Sequence, residues 1–391
     1  MYPLILPGDT HRRHFFSKTR IQNATFVNHL PMLDSPIMLA SKPQIRFLWI
    51  TVLLFSVLAC RAATKLIIPD TPTPSPTATA TPTLTPTLPP TFTPTAIFEG
   101  ACPSLLQEIL KAGTAQAVIL TGRSDQSLKE EKGIVLVTYE VAGDKISGPH
   151  IQPVPNDLKD KQKDRDTHES IWNYFASIVP PEERAQVSEF AIFTDGKGKH
   201  LAAVGQTFSD PKRWMLEVDI LDSESYYDLT YTLIHEQGHL LTLNAEQVPP
   251  SNAIFKYPNN KTIYEQEVSA CPQYFPGEGC STPDAYVNEF FNRFWSDIYA
   301  EWEPINLEED EDTRYTMIED FYNIYEDQFL TDYAPTSPVE DIAESWAFFV
   351  LSPKPEPSSI ANEKILFFYE YPELVELRMK ILKQICVQFP Q

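Results

Sequence analysis

The sequence predicts an α+β fold over residues 100–391, with a small twisted sheet first and a mostly helical second half. Three observations predict it. Stretches crowded with β-branched residues fall between positions 134 and 220, and one of them alternates between apolar and polar residues. A helix-period run carrying two histidines four residues apart follows directly. Beyond it, Val287, Phe290, Phe291, Phe294, Trp295, Ile298 and Trp302 recur at i, i+3, i+4 and i+7, the spacing of a helical core face.

The residues ahead of that domain have a different character. Met38, or Met32, would begin a signal of ordinary length, so residues 1–37 are expected to be an extension outside the native start. Within 38–60, Lys42 and Arg46 precede the apolar run Phe47 to Ala59, the positive-then-apolar order of a secretory signal, and the run is short for a membrane-spanning helix. Val57-Leu58-Ala59-Cys60 resembles the lipobox of bacterial lipoproteins, which implies lipidation at Cys60; an uncleaved signal anchor or ordinary signal cleavage is the alternative. Each of these exports the domain, to the cell membrane as a lipoprotein or beyond it. Residues 61–99 are rich in Thr and Pro, with Pro at nearly every second or third place from 70 to 96. Such a segment buries no core and extends as polyproline II, reaching about 80 Å as a stalk.

Lys and Arg number 31 against 53 Asp and Glu, a net charge of −22, which sets nucleic-acid partners aside by repulsion. Export permits disulfides, and Cys102, Cys271, Cys280 and Cys386 allow three connectivities. The favoured one pairs Cys271 with Cys280 across a short Pro/Gly loop and Cys102 with Cys386 across the domain; four free buried thiols are the alternative.

Within the domain, a helix is expected near Pro103 to Ala112, a strand at Ile134 to Val141 and a helix around Thr167 to Ile178. Extended stretches Glu189 to Thr194 and His200 to Gly205 flank Asp195-Gly196-Lys197-Gly198, whose glycines suit a hairpin turn. In Trp214 to Ile220 the odd-numbered positions are polar or Met and the even-numbered apolar, as in a strand with one wet face. Glu308 to Asp312 reads as a solvated loop or helix start.

The chemistry centres on His235-Glu236-Gln237-Gly238-His239. Two histidines one turn apart on a helix can reach one zinc ion, and Glu236 then stands beside water that the metal has acidified. A catalytic zinc takes a third protein ligand, and no histidine follows His239. In Val339-Glu340-Asp341-Ile342-Ala343-Glu344-Ser345-Trp346, Glu340 and Glu344 share a helix face; Glu340 suits the metal and Glu344 suits a ligand histidine. Glu265 or Glu267 is the rival third ligand.

HExGH, a tyrosine at 333 and Glu-x-x-x-Glu in an aromatic helix together resemble the peptidase domain of anthrax lethal factor and related bacterial gluzincins, a branch of the zincin metallopeptidases. The resemblance covers about residues 213 to 352. It implies a zincin-like fold, one Zn2+ per chain held by His235, His239 and Glu340, and Glu236 as general base. It further implies that Tyr333 hydrogen-bonds the oxyanion, that Glu344 supports a ligand, and that the strand Trp214 to Ile220 pairs with an extended polypeptide substrate. The expected function is therefore that of an exported, membrane-tethered zinc endopeptidase. The alternative is an inactive lipoprotein of the same fold acting as a binding or structural module.

Overall fold

The computed structural model describes residues 102–122 and 133–388, apart from 198, 199, 259 and 309. The signal, Cys60 and the stalk lie outside the described residues.

Helix α1 (Pro103–Gly122) runs ten residues past its expected end. It leads to β1 (Ile134–Ala142) and β2 (Lys145–Ile151), an antiparallel hairpin. β2 escaped the sequence reading because Lys-Ile-Ser-Gly-Pro-His-Ile buries only Ile146 and carries Gly, which weakens a strand, and Pro, which is confined to edge strands. Short α2 (Lys159–Lys163) and α3 (Arg165–Ile178) follow; Asp164 caps α3 by accepting from Thr167 N. The apolar face of α3 packs Trp172 against Phe190 of β3 (Val187–Thr194), ring centroids 5.5 Å apart.

β4 (Ala202–Gln206) and β5 (Trp214–Asp219) complete a mixed five-stranded sheet of order β2-β1-β3-β5-β4. This order corrects two expectations. β3 and β4 do not form a hairpin across Asp195 to Gly198, because β5 lies between them, parallel to β3 and antiparallel to β4. And β5 cannot pair with a substrate strand, since both its edges are taken; on that side of the sheet the outer strand is β4. Asp219 N bonds Leu201 O and Thr207 N bonds Arg213 O, so in β4 the odd-numbered residues face β5 and the N–H and C=O groups of 202, 204 and 206 point outward.

The remainder is helical: α4 (Tyr226–Thr242), α5 (Asn252–Lys256), α6 (Lys261–Ala270), α7 (Tyr286–Phe294), α8 (Tyr299–Leu307), α9 (Glu311–Tyr325), α10 (Pro338–Leu351), α11 (Ile360–Phe367) and α12 (Pro372–Gln388). The aromatic stripe is split between α7 and α8, yet Val287, Phe290, Phe294, Trp295, Ile298 and Trp302 are all buried, as core was expected to be. The acidic run supplies Asp310, which caps α9 by accepting from Thr313 N. Disulfides join Cys102 to Cys386 and Cys271 to Cys280, the favoured pairing. Among the described residues no helix is long and apolar enough to cross a membrane.

Candidate metal centre

Helix α4 starts at Ser225, whose hydroxyl accepts from Asp228 N, and every residue from Leu229 to Thr242 except Thr232 is buried. His235 and His239 therefore project from one side of a core helix into the space facing α10. Gly238 sets how near the two helices lie. A Cβ there would stand 3.2 Å from Ala343 Cα and 3.0 Å from Trp346 Cδ1, both on α10. At the start of α10, Ser337 Oγ accepts from Glu340 N and Pro338 occupies the first turn. Ser-x-x-Glu is the pattern of a reciprocal helix cap, in which the glutamate reaches back to the serine N–H. Here the Glu340 carboxylate turns instead to the histidines, and the helix N-terminus favours its negative charge.

Three atoms converge. His235 Nε2 lies 3.1 Å from Glu340 Oε2 and 3.1 Å from His239 Nε2, and His239 Nε2 lies 3.3 Å from the same carboxylate oxygen. Two imidazole nitrogens and a carboxylate oxygen so close together need a cation among them, a proton or a metal ion. All three residues are buried, and they are a group able to hold a metal ion. Burial works against charge on both partners, but the contest is won by proximity. His239 and His235 hold Glu340 well below the usual carboxylate range, and Glu340 and Glu344 raise His235.

Glu344, one turn along α10, accepts from His235 Nδ1 at 2.8 Å. That bond leaves the proton on Nδ1 and the lone pair on Nε2, the form a metal requires. Tyr231 and Thr331 donate to the other oxygen of Glu344, at 2.8 and 2.7 Å. His239 lacks such support: its Nδ1 is buried without a hydrogen-bond partner.

Glu236 lies beside the cluster. Burial and the Glu340 carboxylate push its pKa up, against the pull of His239 and His235, and the Val204 backbone of β4 hydrogen-bonds its carboxylate. Tyr333, its ring 6.0 Å from that of His235, hydrogen-bonds Glu340. Burial and the Glu340, Glu236 and Glu344 carboxylates push its phenol far above the ordinary value, so it stays protonated and keeps a proton to donate to a hydrogen bond. A buried group able to hold a metal ion, a carboxylate of raised pKa and a neutral phenol donor thus stand in one place.

His235, Glu236, His239, Tyr333, Glu340 and Glu344 are thus brought together, and Glu265 and Glu267 are not. Both of the latter lie on α6, outside the cluster, with Glu265 exposed. The four cysteines are paired in disulfides and supply no ligand to the cluster. The sequence reading missed Tyr231, Thr331 and the edge backbone at Val204. Tyr231 was within reach of it, standing one helical turn before His235; the other two come from segments distant in the chain. Comparisons of the chain with protein families, with curated proteins and with solved structures return no match.

Proposed function

We propose that this protein is a zinc-dependent endopeptidase whose domain is built on the zincin plan. The observation that carries the reading is the convergence of His235 Nε2, His239 Nε2 and Glu340 Oε2, with Glu236 and the outer strand β4 adjoining. Their separations of 3.1, 3.1 and 3.3 Å come within about 0.2 Å of the edge of a tetrahedron whose ligands lie about 2.0 Å from zinc. Two imidazoles and one carboxylate are also the donor set of a catalytic rather than a purely structural zinc.

His235, His239 and Glu340 would hold the ion, with Glu344 fixing the His235 ring. When bound, zinc supplies Lewis acidity at the scissile carbonyl and lowers the pKa of water towards 7. Glu236 accepts the proton of the attacking water, a role its raised pKa suits, and then delivers it to the leaving amine nitrogen. Tyr333 donates its phenolic hydrogen bond to the carbonyl oxygen as charge develops there. The outward groups of Ala202 and Gln206 and the outward carbonyl of Val204 bind an extended peptide by adding it as a sixth strand, which brings its backbone beside Glu236, held by the Val204 N–H. Export through the signal ending at Cys60, a lipid anchor there and the Thr/Pro stalk would hold this domain outside the membrane, facing polypeptide substrates.

Metal analysis of the exported domain, run beside a casein-cleavage assay, tests the reading. One zinc per chain is expected in the wild type and in an inactive Glu236→Gln, with metal weakened in Glu340→Ala. Zinc without cleavage would replace the reading with that of a binding module, and absence of metal after loading would end it.

A further inference from the structure

Glu344 touches no ligand atom aimed at the metal, yet both of its carboxylate oxygens are engaged. Its Oε1 takes the hydrogen bond of His235 Nδ1, and its Oε2 those of the Tyr231 and Thr331 hydroxyls. Thr331 Oγ1 also accepts from Ala334 N, so this donor belongs to the turn that carries Tyr333. The Tyr231 ring rests on α1. A Cβ at Gly113 would stand 2.0 Å from Tyr231 Cγ and 2.2 and 2.3 Å from its two Cδ atoms, so the ring lies directly against the helix backbone. A glycine inside a helix costs about 1 kcal/mol relative to alanine. At position 113 that cost is offset by the seat it makes.

We propose that Tyr231, seated on Gly113, is a positioning residue of the metal centre. It holds Glu344 in the one orientation that keeps His235 protonated at Nδ1, with the Nε2 lone pair directed at His239 and Glu340. The inference rests on the metal reading of the cluster. His235 has a competing choice, because Glu340 Oε2 lies 3.1 Å from Nε2 and would accept a proton held there. An Nε2–H tautomer blocks the ligand atom. The two hydroxyl donors decide against it by holding Oε2 of Glu344, which leaves Oε1 for Nδ1. The His239 ring has no equivalent control, since its Nδ1 has no hydrogen-bond partner. Tautomer selection therefore acts through His235 alone, and α1, the first helix after the stalk, is part of the device.

Tyr231→Phe tests this, because it removes the hydroxyl and keeps the ring on Gly113. Cobalt(II) affinity, read from visible absorption, and the His235 tautomer in metal-free protein at a pH high enough to leave the raised imidazole neutral, read from 15N NMR, are measured for wild type, Tyr231→Phe and Gly113→Ala. Cobalt affinity is expected to fall about ten- to a hundredfold in Tyr231→Phe, with Nε2–H His235 appearing in the metal-free protein. Gly113→Ala should move both readouts in the same direction. Wild-type affinity together with an unchanged tautomer in Tyr231→Phe would overturn the proposal. If wild type binds no cobalt while the tautomer still follows Tyr231, the metal reading fails and the positioning role stands.

Discussion

Gly238 gains nothing for α4 as a helix; a glycine there gives up about 1 kcal/mol of propensity to alanine. What it provides is closeness to Ala343 and Trp346, at 3.2 and 3.0 Å from the position of a Cβ. Gly238→Ala should therefore weaken metal binding while leaving the melting of the metal-free protein near wild type, since propensity offsets crowding. Gly238→Val should lower both, the affinity by tenfold or more. Cobalt titration and denaturant melts on the same samples check this. His168 behaves differently because its role is structural. Its Nδ1 accepts from the Tyr139 hydroxyl at 2.8 Å and its Nε2 donates to Lys161 O at 2.9 Å, and burial depresses its pKa. An unfolded histidine titrates near 6.5. Below that pH the unfolded chain takes up a proton that the folded one refuses, so folding stability declines as pH falls. His168→Gln should flatten the loss between pH 7.5 and 5.5, as measured by urea unfolding at both values.

At the scale of elements, strand order matters more than strand sequence. β5 has the cleaner alternation and directly precedes the metal helix, yet β4 is the outer strand on that side of the sheet. Proline separates the two sides of β4. Val204→Pro leaves the ladder to β5 intact but removes the outward N–H that bonds the Glu236 carboxylate, and should lower casein cleavage at least tenfold. Ala203→Pro removes a ladder donor to β5 and orphans a carbonyl, a cost of about 1–3 kcal/mol in unfolding free energy. A Val204→Pro variant that cleaves casein normally would dissociate the edge from substrate binding. α10, in turn, is held along its length. Asp341 pairs with the fully buried Lys364 at 2.6 Å and accepts from Trp295 Nε1, and Arg378 of α12 donates to Phe349 O and Ser352 O at the helix end. Glu340 is thereby presented from a rigid support.

Over the whole molecule, the disulfide between Cys102 and Cys386 spans 284 positions and ties α1, which seats Tyr231, to α12, which caps α10. The other spans 9. The chain-entropy estimate is about 6 kcal/mol for the long loop and about 3 kcal/mol for the short one. Cys102→Ser combined with Cys386→Ser should therefore lower unfolding free energy more than Cys271→Ser with Cys280→Ser. Guanidinium melts of the two double variants compare them, and equal losses would show that the long bridge constrains no more than a local loop.

Several features were legible without coordinates because they are local. Helix periodicity places His235 and His239 one turn apart and Glu340 and Glu344 on one face, whatever surrounds them. The burial of the aromatic stripe follows in the same way. The opposing character of residues 1–99 is compositional, and it lies outside the described residues. The cysteine pairing was favoured from loop position alone, and folding realises it. Only the tertiary structure decided between Glu340 and the rivals on α6, set β5 inside the sheet, and brought Tyr231, Thr331 and Val204 to the centre. Each of these depends on contacts between segments far apart in the chain, where side-chain volume and backbone closeness, as at Gly113 and Gly238, choose among arrangements that periodicity leaves equal.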